Sequence, residues 1–202
     1  MDPLYHEKEL WRQGYSSIAG IDEVGRGPLA GPVYACAVIF NPTYYHHDVR
    51  DSKKIAAKKR IKLAGLLSGE ASAWAIGQAS VGEIDMLNIR QATFLAMKRA
   101  LEALQNKADY LLVDGEKIPE IDLPMMGLVK GDEKSFTIGA ASIIAKVARD
   151  KVMIELDKEY PKYGFVRNKG YGTAEHIRAL RVYGASPHHR RSFLNKILDR
   201  GE

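Results

Sequence analysis

Two acids, Asp22-Glu23, close the chain's first apolar run, Ser17–Ile21, and lead at once into Gly25-Arg26-Gly27-Pro28-Leu29-Ala30-Gly31-Pro32. That block is made of turn residues. A second apolar run, Val33–Phe40, follows it and is rich in β-branched and aromatic residues. Two strands joined by a glycine-rich connection are the natural reading.

Farther along, Lys53 to Leu67 is basic and then periodic, which predicts a short helix, and Ala73–Val81 suits a third strand. From about Glu83 to Leu104, apolar residues at Ile84, Leu87, Phe94, Leu95, Leu101 and Leu104 fall at helical spacing. Tyr110–Val113 is a compact strand that delivers Asp114, and Met126–Val129 suits another before Lys130-Gly131-Asp132. Lys134 to Leu156 reads as one long helix dense in small residues. Strands that come first and then alternate with helices imply an α/β domain with a mixed sheet. Apolar residues make up 46% of the 202-residue chain, enough for a core of that size. The expected organisation is one unit over residues 1–160, with a helical segment, 161–202, packed on it.

Other bulk features narrow the class. The net charge of +5 favours a polyanionic partner. Cys36 is the single cysteine and sits in an apolar run, so it is expected as a small buried hydrophobe; an intramolecular disulfide and a cysteine zinc site are excluded. No stretch approaches the roughly 18–20 apolar residues of a membrane-spanning helix, and Met1–Tyr15 lacks an apolar signal core. A cytoplasmic protein without a membrane partner is expected, with monomer as the default.

The acids carry the chemistry. Asp22 and Glu23 end the first strand, Asp114 ends an apolar strand, and Asp132 precedes the long helix. Strand ends gather on one edge of a sheet, where α/β proteins place their sites. Carboxylates collected there repel one another unless a cation holds them, and Mg2+ or Mn2+ suits all-oxygen ligation. Each acid also has a structural reading: an Asp at a strand end often serves a turn, and Asp132 suits a cap for the long helix. Neighbours on a regular strand face opposite sides, so Asp22 and Glu23 need a twist or bulge to share a site. Gly25-Arg26-Gly27 offers backbone N–H groups to a ligand, with Arg26 available to a phosphate, though a G-x-G can be an ordinary tight turn.

The longer context resembles the bacterial ribonuclease HII family. The stretch Gly20 to Val33, GIDEVGRGPLAGPV, is similar to that family's signature, and the likeness continues in order through Asp51-Ser52-Lys53-Lys54, Val113-Asp114-Gly115 and Lys130-Gly131-Asp132. It runs on through Ala140 to Val147 with Arg149-Asp150, then Lys169-Gly170-Tyr171-Gly172-Thr173, His176, and Ser186-Pro187 to Phe193. About residues 16 to 193 are covered. Gly139 stands where alanine is more usual, His188-His189 is doubled, and Glu133–Phe136 is atypical.

The resemblance implies a ribonuclease H-like fold: a mixed five-stranded sheet flanked by helices, with a small helical C-terminal extension. It implies metal-dependent cleavage of the RNA strand of RNA–DNA hybrids. Incision 5′ to single ribonucleotides embedded in duplex DNA is also implied, leaving 3′-hydroxyl and 5′-phosphate ends. Its metal-holding catalytic acids fall on Asp22, Glu23, Asp114 and Asp132. Its 2′-hydroxyl-sensing loop falls on Gly25, Arg26 and Gly27, and its junction-reading tyrosine on Tyr171.

Lys53, Lys54 and Lys146 are candidates for phosphate contact, with plain solvated lysines the alternative. Three other functions are open to such a chain. Another nuclease of the same architecture shares the acids but not the G-R-G-P-L-A-G-P loop. A non-catalytic nucleic-acid-binding domain would bind without cutting, and a histidine ribonuclease would survive chelation.

Overall fold

The computed structural model describes residues 2–49 and 56–198, the last three by backbone only. Asp51-Ser52-Lys53-Lys54, and with it the expected phosphate contacts of Lys53 and Lys54, lies outside the described residues.

Five strands form one sheet: β1 (Ile18–Val24), β2 (Val33–Ile39), β3 (Ala73–Ala79), β4 (Tyr110–Asp114) and β5 (Met125–Leu128). Their order is β3-β2-β1-β4-β5, with β1–β2 and β2–β3 antiparallel and β1–β4 and β4–β5 parallel. β1 is central and buried on both faces, which is why Ile18 to Ile21 is apolar without alternation. β3 is an edge strand; its Trp74 and Gln78 are exposed while Ala73, Ala75, Gly77 and Ala79 point inward.

Helices cover both faces. On one lie α3 (Val81–Leu87) and α4 (Ile89–Glu102), which put Ile84, Ala92, Ala96, Met97 and Ala100 against Ala35, Ala37 and Val113. On the other lie α2 (Ala57–Glu70) and α6 (Phe136–Glu159), packed on Cys36 and Val38 through Leu67, Ala140, Ala141 and Ile144. Cys36 is a buried hydrophobe as expected, and burial pushes its thiol pKa up. A short helix, α5 (Gly131–Lys134), precedes α6, and α1 (Tyr5–Arg12) lies near the chain's start. Beyond α6 come a 3-10 turn (Pro161–Tyr163), α7 (Phe165–Asn168), α8 (Ala174–Tyr183) and α9 (Arg191–Leu198). This tail shares an apolar cluster with Leu29 and Ala30 of the β1–β2 connection and Met153 of α6. No helix among the described residues is long and apolar enough to cross a membrane.

The mixed five-stranded sheet flanked by helices is the expected fold, with two local corrections. The single helix expected from Glu83 to Leu104 is two, broken at Asn88, whose φ is +70° and whose side chain accepts from the N–H groups of Arg90 and Gln91. The apolar phase carries across a one-residue break, so periodicity does not register it. The cap of the long helix is Ser135, whose side chain accepts from Ile138 N–H, and not Asp132, which lies in α5.

Candidate active site

The parallel register of β1 and β4 builds the site. Its last pair is Ile21 with Val113, so the next residue on each strand, Asp22 and Asp114, is an acid. Carboxylate oxygens of Asp22, Glu23 and Asp114 lie within 4.8 Å of one another. Of the twist or bulge that would let Asp22 and Glu23 share a site, the bulge is absent, because the pairs Asp22–Cys36, Glu23–Ala35 and Val24–Tyr34 run unbroken. Both acids therefore lie inside β1 rather than past its end. The Asp22 carboxylate instead bends along the strand to accept from Glu23 N–H at 2.6 Å, and the longer Glu23 side chain reaches to the same place.

Asp22 is almost fully buried, at 5% exposure. Burial raises its pKa well above the ordinary range; Glu23 and Asp114 add to the rise, and a hydrogen bond from Ser142 opposes it. Burial also raises Glu23, against the pull of Arg26, whose guanidinium lies 3.3 Å from its carboxylate. Three crowded carboxylates, with Asp22 and Glu23 resisting ionisation and all offering oxygen, suit a hard divalent cation, which would reverse both shifts. Asp114 accepts from Gly131 N–H at 2.6 Å. Asp132, the next residue, stands outside the group of three and is tied to it through that bond. A cleft of about 330 Å³ opens beside the acids, lined by Glu23, Asp114, Arg26, Arg90, Phe94 and Glu116 among others.

The β1–β2 connection that carries Gly25, Arg26 and Gly27 is held by two buried arginines; the basic cluster His188–Arg191 suggests a duplex contact or a charged surface, but its Arg190 is buried and turned onto this loop. Arg190 donates to the carbonyls of Gly25 (2.6 Å), Arg26 (2.9 Å) and Gly31 (2.9 and 2.7 Å). Arg149 donates to Ala30 (3.0 Å), Pro32 (2.9 Å) and Lys169 (3.0 Å). Both are fully buried, and burial lowers both pKa values, Arg190 to about 9, so Arg190 stays charged near neutral pH. Only glycine fits at position 25: its φ is +95°, and a Cβ would lie 2.2 Å from Arg149 Nε.

Tyr171 is 43% exposed, and its ring faces Gly27, 3.6 Å from where a Cβ there would stand. Its carbonyl receives a relay of two buried histidines. Ser186 N–H donates to His189 Nδ1 (2.9 Å), the two Nε2 atoms of His189 and His176 are 2.9 Å apart, and His176 Nδ1 is 2.8 Å from the Tyr171 carbonyl. Since His189 Nδ1 accepts, its proton sits on Nε2, and His176 then carries its proton on Nδ1. Both rings are neutral in this arrangement. Of the doubled histidines, His189 is the buried member, while the ring of His188 packs edge-on to Tyr160. Lys146 lies on α6 and pairs with Asp150 at 2.7 Å.

A family model described as Ribonuclease HII matches residues 19–196. A ribonuclease HII of Desulfitobacterium hafniense is 53% identical over 190 residues, covering 94% of this chain and 73% of that one. Another, of Dechloromonas aromatica, is 55% identical over 176 residues, covering 87% and 90%. Among solved structures, the ribonuclease H2 from Pyrococcus horikoshii OT3 superposes with a TM-score of 0.76 at 25% identity, covering 91% of this chain and 98% of that one.

Proposed function

The chain belongs to the ribonuclease HII family and is a ribonuclease H endonuclease, and on that footing we propose that it cuts RNA–DNA duplexes 5′ to a ribonucleotide, including a single one embedded in DNA. The observation that carries this reading is the convergence of Asp22, Glu23 and Asp114 beside a loop whose carbonyls are locked by buried arginines.

Asp22, Glu23 and Asp114 would hold the divalent cation, Mn2+ or Mg2+, with Asp132 completing the set from the adjoining turn. When bound, the ion supplies an activated water and charge for the leaving oxygen. In the hydrolysis the water oxygen would bond to phosphorus and give up a proton to solvent as the bond from phosphorus to the 3′ oxygen breaks, and the 3′ oxygen would take up a proton from solvent. The ends are a 3′-hydroxyl and a 5′-phosphate. Distinguishing RNA from DNA requires sensing the 2′-hydroxyl. Backbone groups of Gly25, Arg26 and Gly27, fixed in place, do this without reading a base, and a deoxy analogue leaves them unpaired. Tyr171 packs on the sugar next to the junction. Lys146, released from Asp150, and Lys53 neutralise phosphates, so binding is salt-sensitive with little sequence preference. The enzyme acts as a cytoplasmic monomer, its residues 1–160 carrying the acids and 161–202 presenting Tyr171.

Two labelled duplexes test this, one with a single ribonucleotide and one fully RNA–DNA hybrid. One cut 5′ to the lone ribonucleotide with the stated ends is expected. Cutting of the hybrid alone would contradict the proposed specificity.

A further inference from the structure

Glu7 lies outside residues 19–196, the span matched by the family model, yet it reaches the active-site turn. It is 1% exposed on α1. One oxygen, Oε1, accepts from Ser135 Oγ (2.6 Å), Thr137 N–H (3.0 Å) and Thr137 Oγ1 (2.5 Å). Phe136 N–H, between these partners, donates to the carbonyl of Pro3 at 2.8 Å. The start of the chain therefore grips three consecutive residues at the N-terminus of α6.

Those residues stand between the acids. Ser135 N–H closes the Asp132 turn by donating to Gly131 O at 2.8 Å, and Gly131 N–H holds Asp114. Gly139 packs closely on that turn: a Cβ would lie 2.8 Å from Val49 Cγ1 and 3.0 Å from Asp132 O. Thr137 sits on β1, where a Cβ at Gly20 would fall 2.3 Å from its carbonyl carbon. An apolar side chain would seat α1 against the core as Leu10 does, but without direction. A carboxylate at a helix N-terminus, bonded to two hydroxyls and an N–H, fixes where the helix begins.

We propose that Glu7 is a positioning residue of the active site: through Ser135 and Thr137 it sets the α5–α6 junction and hence the place of Asp132. The inference rests on the reading of Asp132 as a catalytic acid. Glu7→Gln keeps the accepting oxygen, while Glu7→Ala removes it. At a temperature where circular dichroism shows each variant folded, Glu7→Ala is expected to lower kcat on the single-ribonucleotide duplex by roughly 10- to 100-fold, with KM within about twofold. Glu7→Gln should restore most of that loss.

A cycle with Asp132→Asn separates positioning from general weakening. Adding Glu7→Ala to Asp132→Asn should cost less than about twofold more, because the group being positioned is already gone. If Glu7→Ala fails to fold, Thr137→Val, which removes one donor and leaves Glu7 in place, enters the same cycle and should show the same non-additivity. Multiplying losses, or a folded Glu7→Ala with the parent kcat, would overturn the inference alone. Parental activity of Asp132→Asn would overturn both the inference and the reading beneath it.

Discussion

Replacing Arg190 with lysine keeps the charge and nearly the length, and should still loosen the protein. Arg190 makes four bonds to three carbonyls, those of Gly25, Arg26 and Gly31, from the fixed fork of its guanidinium. An ammonium has three donors on one atom and cannot span acceptors arrayed around a planar group. At least one buried carbonyl is left without a donor, at about 1–3 kcal/mol. The smaller, more strongly hydrated head in a fully buried position adds to that, for a total of about 2–4 kcal/mol. For a chain of this size each kcal/mol moves Tm by about 2–4 °C, so a fall of roughly 5–15 °C follows. Arg191, the next residue, is exposed, and Arg191→Lys should change stability by less than about 0.5 kcal/mol. Differential scanning calorimetry of the two variants decides. A Tm for Arg190→Lys within about 2 °C of the parent would refute the reasoning that these carbonyl bonds hold the loop.

The histidine relay predicts a pH dependence. Burial lowers His189 from 6.5 to about 4 and lowers His176 as well, so the unfolded chain binds more protons across that window. The stabilisation is complete above about pH 6.5 and is lost as pH falls toward 4, by about 3 kcal/mol for His189; NMR titration should find its ring neutral at pH 5, and a midpoint near 6.5 would contradict the assignment. Asp22 has the opposite sign: its raised pKa means the folded state holds the proton more tightly, so in chelator its contribution to stability falls as pH rises above the ordinary carboxylate range. Asp22→Asn should melt higher than the parent in chelator at pH 8 while losing roughly 100-fold or more in turnover; a lower Tm would assign Asp22 a structural role.

The sheet was legible in the sequence because its strands are short apolar runs bounded by turn residues, as at Ser17–Phe40. Asp22 and Asp114 were legible as strand-end acids, and their proximity follows from parallel pairing that places Ile21 beside Val113. The route by which Glu23 joins them was not: a bulge is a sequence-level guess, whereas the strand stays regular and the side chains bend. Arg149, Arg190, Glu7 and the two histidines were illegible as supports for a common reason. Charged and polar residues are assigned to the surface by default, and their burial depends on carbonyls and hydroxyls more than a hundred residues away in several cases. The doubled histidine at 188–189 was a visible departure, and in the fold its second member meets His176.

The central claim is that Asp22, Glu23 and Asp114 together make this a divalent-ion-dependent nuclease. Incision of a DNA duplex carrying one ribonucleotide, by the parent and by Asp114→Asn, with Mg2+, Mn2+ or chelator, tests it most directly. A single cut 5′ to the ribonucleotide that needs the ion and disappears in folded Asp114→Asn is the predicted result. Cutting that persists in chelator, or in Asp114→Asn at the parent rate, would contradict the account.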